Sequence, residues 1–261
     1  MGRLEQGKAH LSAPGALANG WPDFMRDYWG KKPAHFRLAA DYALPGEEQL
    51  MRLVRLATQS DPAQWVRLFL GSSRCVDDMR PFYPADTGAN LDTYLRRAAT
   101  CAGAGFTLVI NNAQQHDLEL CRWLGNFSRG LSIEVGLALR SDVVLYASTT
   151  PKTAFGVHKD RNHNFLFPMV GRKRFHMWPW EALQNKSSVI GSTHYDEILG
   201  DGEVYDVERG SLLYIPSNYY HVAQAENQPW AHVSLMTGVD QTCVATGSCW
   251  RSLILRQSSF G

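Results

Sequence analysis

His158, Asp160 and His221 are the residues of this chain whose types and spacing could do chemistry. The first two stand in Val157-His158-Lys159-Asp160, and the third follows much later in Pro216-Ser217-Asn218-Tyr219-Tyr220-His221. Two imidazoles and one carboxylate occupy one face of an Fe(II) octahedron and leave three positions open for a cosubstrate and O₂. Along a β-strand, side chains at i and i+2 point to the same side, so His158 and Asp160 could meet one ion. The third ligand must then come from another strand. His221 is the expected third ligand, and His232 is its rival. His163 falls in a turn and His176 has the opposite strand parity from Lys173, so both are expected at the surface or in support of the site. His194 is expected in a solvated loop.

The elements that would position these residues change texture once along the chain. Residues 1–21 are Gly-, Ala- and Ser-rich and are expected to form a loose arm before a single domain over 22–261. From 22 to about 130 the pattern is largely helical: Pro22–Trp29, Glu47–Gln59, Leu91–Cys101 and Gln115–Phe127, with short strands at His35–Ala39 and Phe106–Asn111. From about 131 to 240 short β runs alternate with Gly, Pro and Asn: Val143–Ser148, Ala154–His158, Asn164–Met169, Lys173–Met177, Glu203–Val207, Ser211–Ile215, His221–Ala225 and Ala231–Thr237. The fold class expected is mainly β with α, a double-stranded β-helix of the jelly-roll, cupin-like kind with a helical N-terminal half packed on it.

Composition narrows the field. A chain of 261 residues is long enough for one sizeable core. Its net charge of +1 offers no electrostatic footprint for nucleic acid or an anionic membrane. The cysteines, five and scattered, suggest reduced thiols rather than a disulfide framework. No run approaches the roughly 18 apolar residues of a membrane span. The expectation is a soluble, cytoplasmic protein with no nucleic-acid or membrane partner, and with oligomerisation left open.

Lys173, after the Gly171 turn, either faces water on a hairpin edge or answers a buried anion, because an unpaired charge inside a sandwich is costly. Here a resemblance enters. The stretch from Ala154 to Pro179 resembles the JmjC-type Fe(II)/2-oxoglutarate oxygenases, in particular the ribosomal oxygenases and the hypoxia-inducible-factor asparaginyl hydroxylase. Asp23-Phe-Met-Arg-Asp-Tyr-Trp-Gly-Lys-Lys-Pro33 is similar to an N-terminal segment of the ribosomal-oxygenase branch. Gly105–Asn111 and Gly210–Pro216 also fit. The resemblance covers most of residues 22–240. It implies that Lys173 pairs with the distal carboxylate of 2-oxoglutarate and that Asn164 contributes to the same pocket.

The departures bear on the rest. The asparaginyl hydroxylase has a threonine where this chain has Phe155, so a hydroxyl for 2-oxoglutarate would come from Tyr146 or Ser234. The tryptophan that often accompanies the distal ligand is absent beside Tyr220-His221. The forty residues that follow His221 are too few for the dimerisation region and winged helix of the ribosomal oxygenases.

The resemblance thus implies a dioxygenase using Fe(II), 2-oxoglutarate and O₂, with succinate and CO₂ as coproducts. Its substrate would be a peptide, protein or amino-acid-derived molecule, with Tyr146 and Arg161 as expected contacts. N-methyl demethylation by the same oxidant is the second reading. A metal-cupin enzyme that does not use 2-oxoglutarate and a non-catalytic cupin-like binding module are the readings from other classes. Neither gives a reason to keep a lysine at 173.

Overall fold

The computed structural model describes residues 20–59, 62–84, 88–136, 138–225 and 229–239. In chain order the first part holds α1 (Trp21–Asp27), β1 (Ala34–Arg37), α2 (Glu47–Gln59), the single turn α3 (Pro62–Trp65), β2 (Val66–Leu70) and β3 (Ser73–Cys75). There follow α4 (Leu91–Ala102), β4 (Phe106–Ile110), α5 (Leu118–Val135), β5 (Leu139–Ser148), β6 (His163–Val170) and β7 (Lys173–Pro179). The last group is α6 (Trp180–Leu183), β8 (Glu203–Val207), β9 (Ser211–Ile215), β10 (Tyr219–Ala225) and β11 (Trp230–Val239).

The strands form two antiparallel sheets. The larger has the order β1-β9-β6-β11-β5-β4-β2-β3, and the smaller has β10-β7-β8. Alternation along the strands splits their residues between two environments. One face of the large sheet carries Leu68, Leu108, Leu145, Phe165, Phe167 and Val233, which are buried against the apolar stripes of α2, α4 and α5. Those stripes are Leu50, Leu53, Val54 and Ala57; Leu91, Tyr94, Leu95 and Ala98; and Leu120, Leu124, Phe127 and Leu131. Burying each of the Leu, Val and Phe side chains is worth about 1.5–3 kcal/mol. The other face looks toward the small sheet across Leu166, Phe175, Met177, Leu213 and Ile215.

Several expectations are corrected by local physics. The part read as helical also supplies strands to the large sheet, and two of these, β2 and β3, went unread because a short run such as Val66-Arg67-Leu68-Phe69-Leu70 suits a buried strand and a helix segment alike. Helix α5 starts at Leu118 rather than Gln115, because the Asp117 carboxylate caps it by accepting from the Leu120 N–H at 2.9 Å. Of the expected arm, residues 1–19 lie outside the described residues. Trp21 opens α1 and is buried edge-on against Phe24, Phe127 and Phe165.

The strand expected over Ala154–His158 does not form. Gly156 sits at φ +65°, and a Cβ there would lie 2.3 Å from the Ser192 carbonyl oxygen. The chain bends, and only single bridges remain: Val157 with Ile190 and His158 with His221. Among the described residues no helix is long and apolar enough to cross a membrane.

Candidate metal centre and cosubstrate pocket

The His158 bridge carries the segment that precedes β6 alongside β10, so His158 and Asp160 meet His221 without a regular strand beneath them. One ligand atom from each of the three lies within 4.8 Å of the others. His221 Nε2 stands 3.8 Å from Asp160 Oδ2, too far for a hydrogen bond. That separation falls between the roughly 3 Å of cis ligands and 4.2 Å of trans ligands around an ion with bonds of about 2.1 Å.

Proton placement suits metal binding as well. His158 Nδ1 lies 2.9 Å from the Gly156 carbonyl, which assigns the proton to that nitrogen and leaves Nε2 free as a donor of electrons. Burial, then the neighbouring His158, pushes His221 down to about 4, so the ring is neutral and its lone pair available. Asn164 Nδ2 donates to Asp160 Oδ2 at 3.2 Å. The Asn164 amide is buried, and its Oδ1 has no hydrogen-bond partner among the described residues. The neutral His221 ring and the His158 Nε2, facing an anchored carboxylate, fit a divalent iron.

The three residues line a narrow cavity, open at its mouth, between the two sheets. Lys173 lines it and is 5% exposed. Its Nζ lies 3.5 Å from the centroid of the Trp230 ring, and among the described residues no carboxylate pairs with it. Burial pushes the ammonium down to about 7. The faces of Trp230 and, at 5.2 Å, Phe175 are the compensation drawn from its surroundings among the described residues. Trp230 is itself fixed: its Nε1–H donates to the Thr150 carbonyl at 2.8 Å, and the turn at Gly171, φ +73°, packs so closely that a Cβ added there would lie 3.1 Å from the Trp230 Cβ. A buried ammonium lacking an anion fits the distal carboxylate of a dicarboxylate cosubstrate.

The remaining expected residues divide. Tyr146 lines the cavity and stacks on His232 at 4.7 Å. His232 also stacks on Trp230 at 5.5 Å; it is a wall of the cavity, outside the ligand cluster, and burial keeps it neutral. Ser234 is fully buried one alternation further along β11, with no partner for its Oγ among the described residues, and is not among the cavity-lining side chains. Arg161 is exposed and does not line the cavity.

His163 is in β6 rather than a turn. It stacks on Trp29 at 3.9 Å and its Nδ1 lies 2.8 Å from the Tyr214 hydroxyl, which also accepts from the Gly30 N–H. The Tyr28-Trp29-Gly30 segment thereby braces the chain just past Asp160. His176 is buried beside Trp178 on the opposite face of β7 from Lys173, not at the surface. His194 is exposed. Unread in the sequence were Trp230, Phe155 and Phe175, which line the cavity. Trp230 was accessible to parity, since it shares its face of β11 with His232.

Residues 132–243 match the family described as the JmjC domain. The chain is 22% identical over 229 residues to the Bacillus subtilis (strain 168) protein described as "Uncharacterized protein YxbC", covering 78% of this chain and 64% of that one. Among solved structures it is similar to the Escherichia coli ribosomal oxygenase YcfD, at 17% identity and a TM-score of 0.52 over 93% of this chain and 57% of that one. A YcfD structure in complex with cobalt and 2-oxoglutarate gives 16% identity, a TM-score of 0.52 and coverage of 92% and 57%. The chain thus spans less than two thirds of the length of either relative.

Proposed function

We propose, on the premise that residues 132–243 are a JmjC domain, that the chain is an Fe(II)- and 2-oxoglutarate-dependent dioxygenase hydroxylating a C–H bond of a peptide, protein or amino-acid-derived substrate. The observation that carries the reading is the pairing of the His158, Asp160 and His221 cluster with a buried, carboxylate-free Lys173 in one cavity. A metal-cupin enzyme that does not use 2-oxoglutarate would leave the burial of that ammonium without compensation. YcfD in complex with cobalt and 2-oxoglutarate supports the same pairing of metal and dicarboxylate.

When bound, Fe(II) and 2-oxoglutarate would supply the O₂-dependent oxidation of an unactivated C–H bond, with the cosubstrate decarboxylated to succinate. His158, Asp160 and His221 would hold the iron, a ligand set that suits a ferrous centre with open positions. Asn164 fixes the Asp160 carboxylate. Lys173 takes the distal carboxylate through a charge-assisted hydrogen bond, one of the stronger polar contacts available. Trp230 holds Lys173 in the cavity before the anion arrives. The Tyr146 hydroxyl, kept protonated by burial, offers a further hydrogen bond at the cavity wall. Ser234, beneath that wall, supports β11.

The test is turnover by the full chain with Fe(II), ascorbate, 2-oxoglutarate and O₂, against a diverse pool of peptides and amino-acid derivatives. Succinate above the uncoupled background, together with a product one oxygen atom heavier, is the expected outcome. Iron-loaded chain that forms no succinate with any member of the pool would overturn the reading.

A further inference from the structure

The strand row that contributes Tyr146 to the cavity wall continues across the large sheet. Arg67 of β2 is directly opposite Val109 of β4, Val109 is opposite Tyr146 of β5, and Tyr146 is opposite His232 of β11. Residues paired in this way project from the same face of a sheet, so one row runs from the wall of the iron cavity to an arginine. At about 4.8 Å per strand the Arg67 backbone lies about 10 Å from that of Tyr146. Its charge reaches back along the row, since it is one of the influences felt by the Tyr146 phenol.

The surroundings of Arg67 are poor in compensation. It is partly buried. A terminal guanidinium nitrogen donates to the neutral Asn111 Oδ1 at 2.9 Å, and the buried Nε has no partner among the described residues. Phe69, Val109 and Val144 pack beside it against Phe155 and Met236, while the charged residues of the same face, Arg74, Asp142 and Arg140, stand opposite Phe69, Met236 and Gly238. Arg52 and Arg80, by contrast, pair with carboxylates.

Charge arithmetic sharpens the point. Ferrous iron and Lys173 together carry as much positive charge as Asp160 and a dicarboxylate carry negative. The loaded centre is neutral, and Arg67, on a face that also carries Arg74, Arg140 and the single carboxylate Asp142, has no carboxylate partner among the described residues.

We infer that Arg67 binds an anionic group of the substrate, which makes the substrate a carboxylate-bearing peptide or amino-acid derivative. This rests on the dioxygenase reading above. A planar guanidinium with free donors suits a carboxylate taken edge to edge. The target carbon would then lie at the iron while the carboxylate is held two strands away, beyond Tyr146.

Two matched pools of synthetic peptides test the inference with the full chain. They are identical except that one carries Asp or Glu where the other carries Asn or Gln. The acidic pool is expected to couple succinate release to product at least tenfold more efficiently in kcat/KM. Arg67→Gln should erase that preference and Arg67→Lys should keep part of it. Both variants, loaded with Mn(II), should bind oxalylglycine as the parent does, which shows that fold and cosubstrate pocket are intact. Equal coupling of the two pools, coupling of neither while oxalylglycine binds, or a preference that survives Arg67→Gln would overturn the inference alone. A parent chain that binds Mn(II) but not oxalylglycine would overturn the 2-oxoglutarate reading and the inference with it.

Discussion

His158 and His221 exchange both of their backbone hydrogen bonds: the His158 N–H donates to the His221 carbonyl at 3.1 Å, and the His221 N–H donates to the His158 carbonyl at 2.7 Å. Their rings lie 4.4 Å apart between centroids. The spacing of the two imidazoles is therefore set by a main-chain bridge and does not depend on side-chain packing alone. Asp160 has no such bridge, and its carboxylate is held instead by Asn164.

From that asymmetry we expect His158→Ala, Asp160→Ala and His221→Ala each to abolish 2-oxoglutarate turnover and to weaken Fe(II) binding severely. Asn164→Ala should weaken it by about 10–100-fold, the usual cost of losing a partner that orients a metal ligand. His232→Ala should leave Fe(II) affinity unchanged. Anaerobic chelator competition measures all five. Loss of iron in His232→Ala with retention in His221→Ala would mean that the third ligand is the other histidine.

Lys173 and Trp230 should separate cosubstrate binding from metal binding. Lys173→Ala leaves a buried, unpaired carboxylate, a loss of about 3–5 kcal/mol, so oxalylglycine affinity should fall at least about a hundredfold with Mn(II) retained. Trp230→Leu removes a desolvated cation–π contact of about 2 kcal/mol and should cost up to about thirtyfold. Calorimetric titration of the Mn(II)-loaded variants reads both. An unchanged affinity in Lys173→Ala would put that side chain in solvent.

The same lysine sets a pH dependence. In the ligand-free fold, burial lowers Lys173 to about 7, whereas an unfolded-chain lysine titrates near ~10.4. Between those values the unfolded chain binds more protons, so the contribution of Lys173 makes the ligand-free fold more stable as pH rises through that window. Cosubstrate binding runs the other way, since a dianion favours the ammonium. Oxalylglycine binding above pH 7 should take up a proton, and its affinity should fall by up to about tenfold per unit from about pH 7 to 9. Titrations in buffers of different ionisation heat check this, and Lys173→Met should flatten the profile.

The clustering of His158, Asp160 and His221, with Lys173 in the same cavity, was legible because residue types and intervals survive whatever course the backbone takes. The geometry beneath them was not. Gly156 reads as an ordinary strand glycine, and only the closeness of Ser192 reveals the bend that carries His158 to His221. Arg161 lies next to the ligands in sequence yet is exposed and does not line the cavity, while Arg67 lies far off in sequence and joins the row of Tyr146 through two strand pairings. His163 seemed a turn residue until Trp29, from the other end of the chain, stacked on it. Long-range pairing is the information that local periodicity lacks.

Anaerobic addition of 2-oxoglutarate to the Fe(II)-loaded chain, followed in the visible region, tests the central claim most directly. A weak charge-transfer band that grows with cosubstrate and needs far higher concentrations in Lys173→Ala is the predicted result. Iron-loaded chain that develops no band at saturating 2-oxoglutarate, or a band indifferent to Lys173, would contradict it.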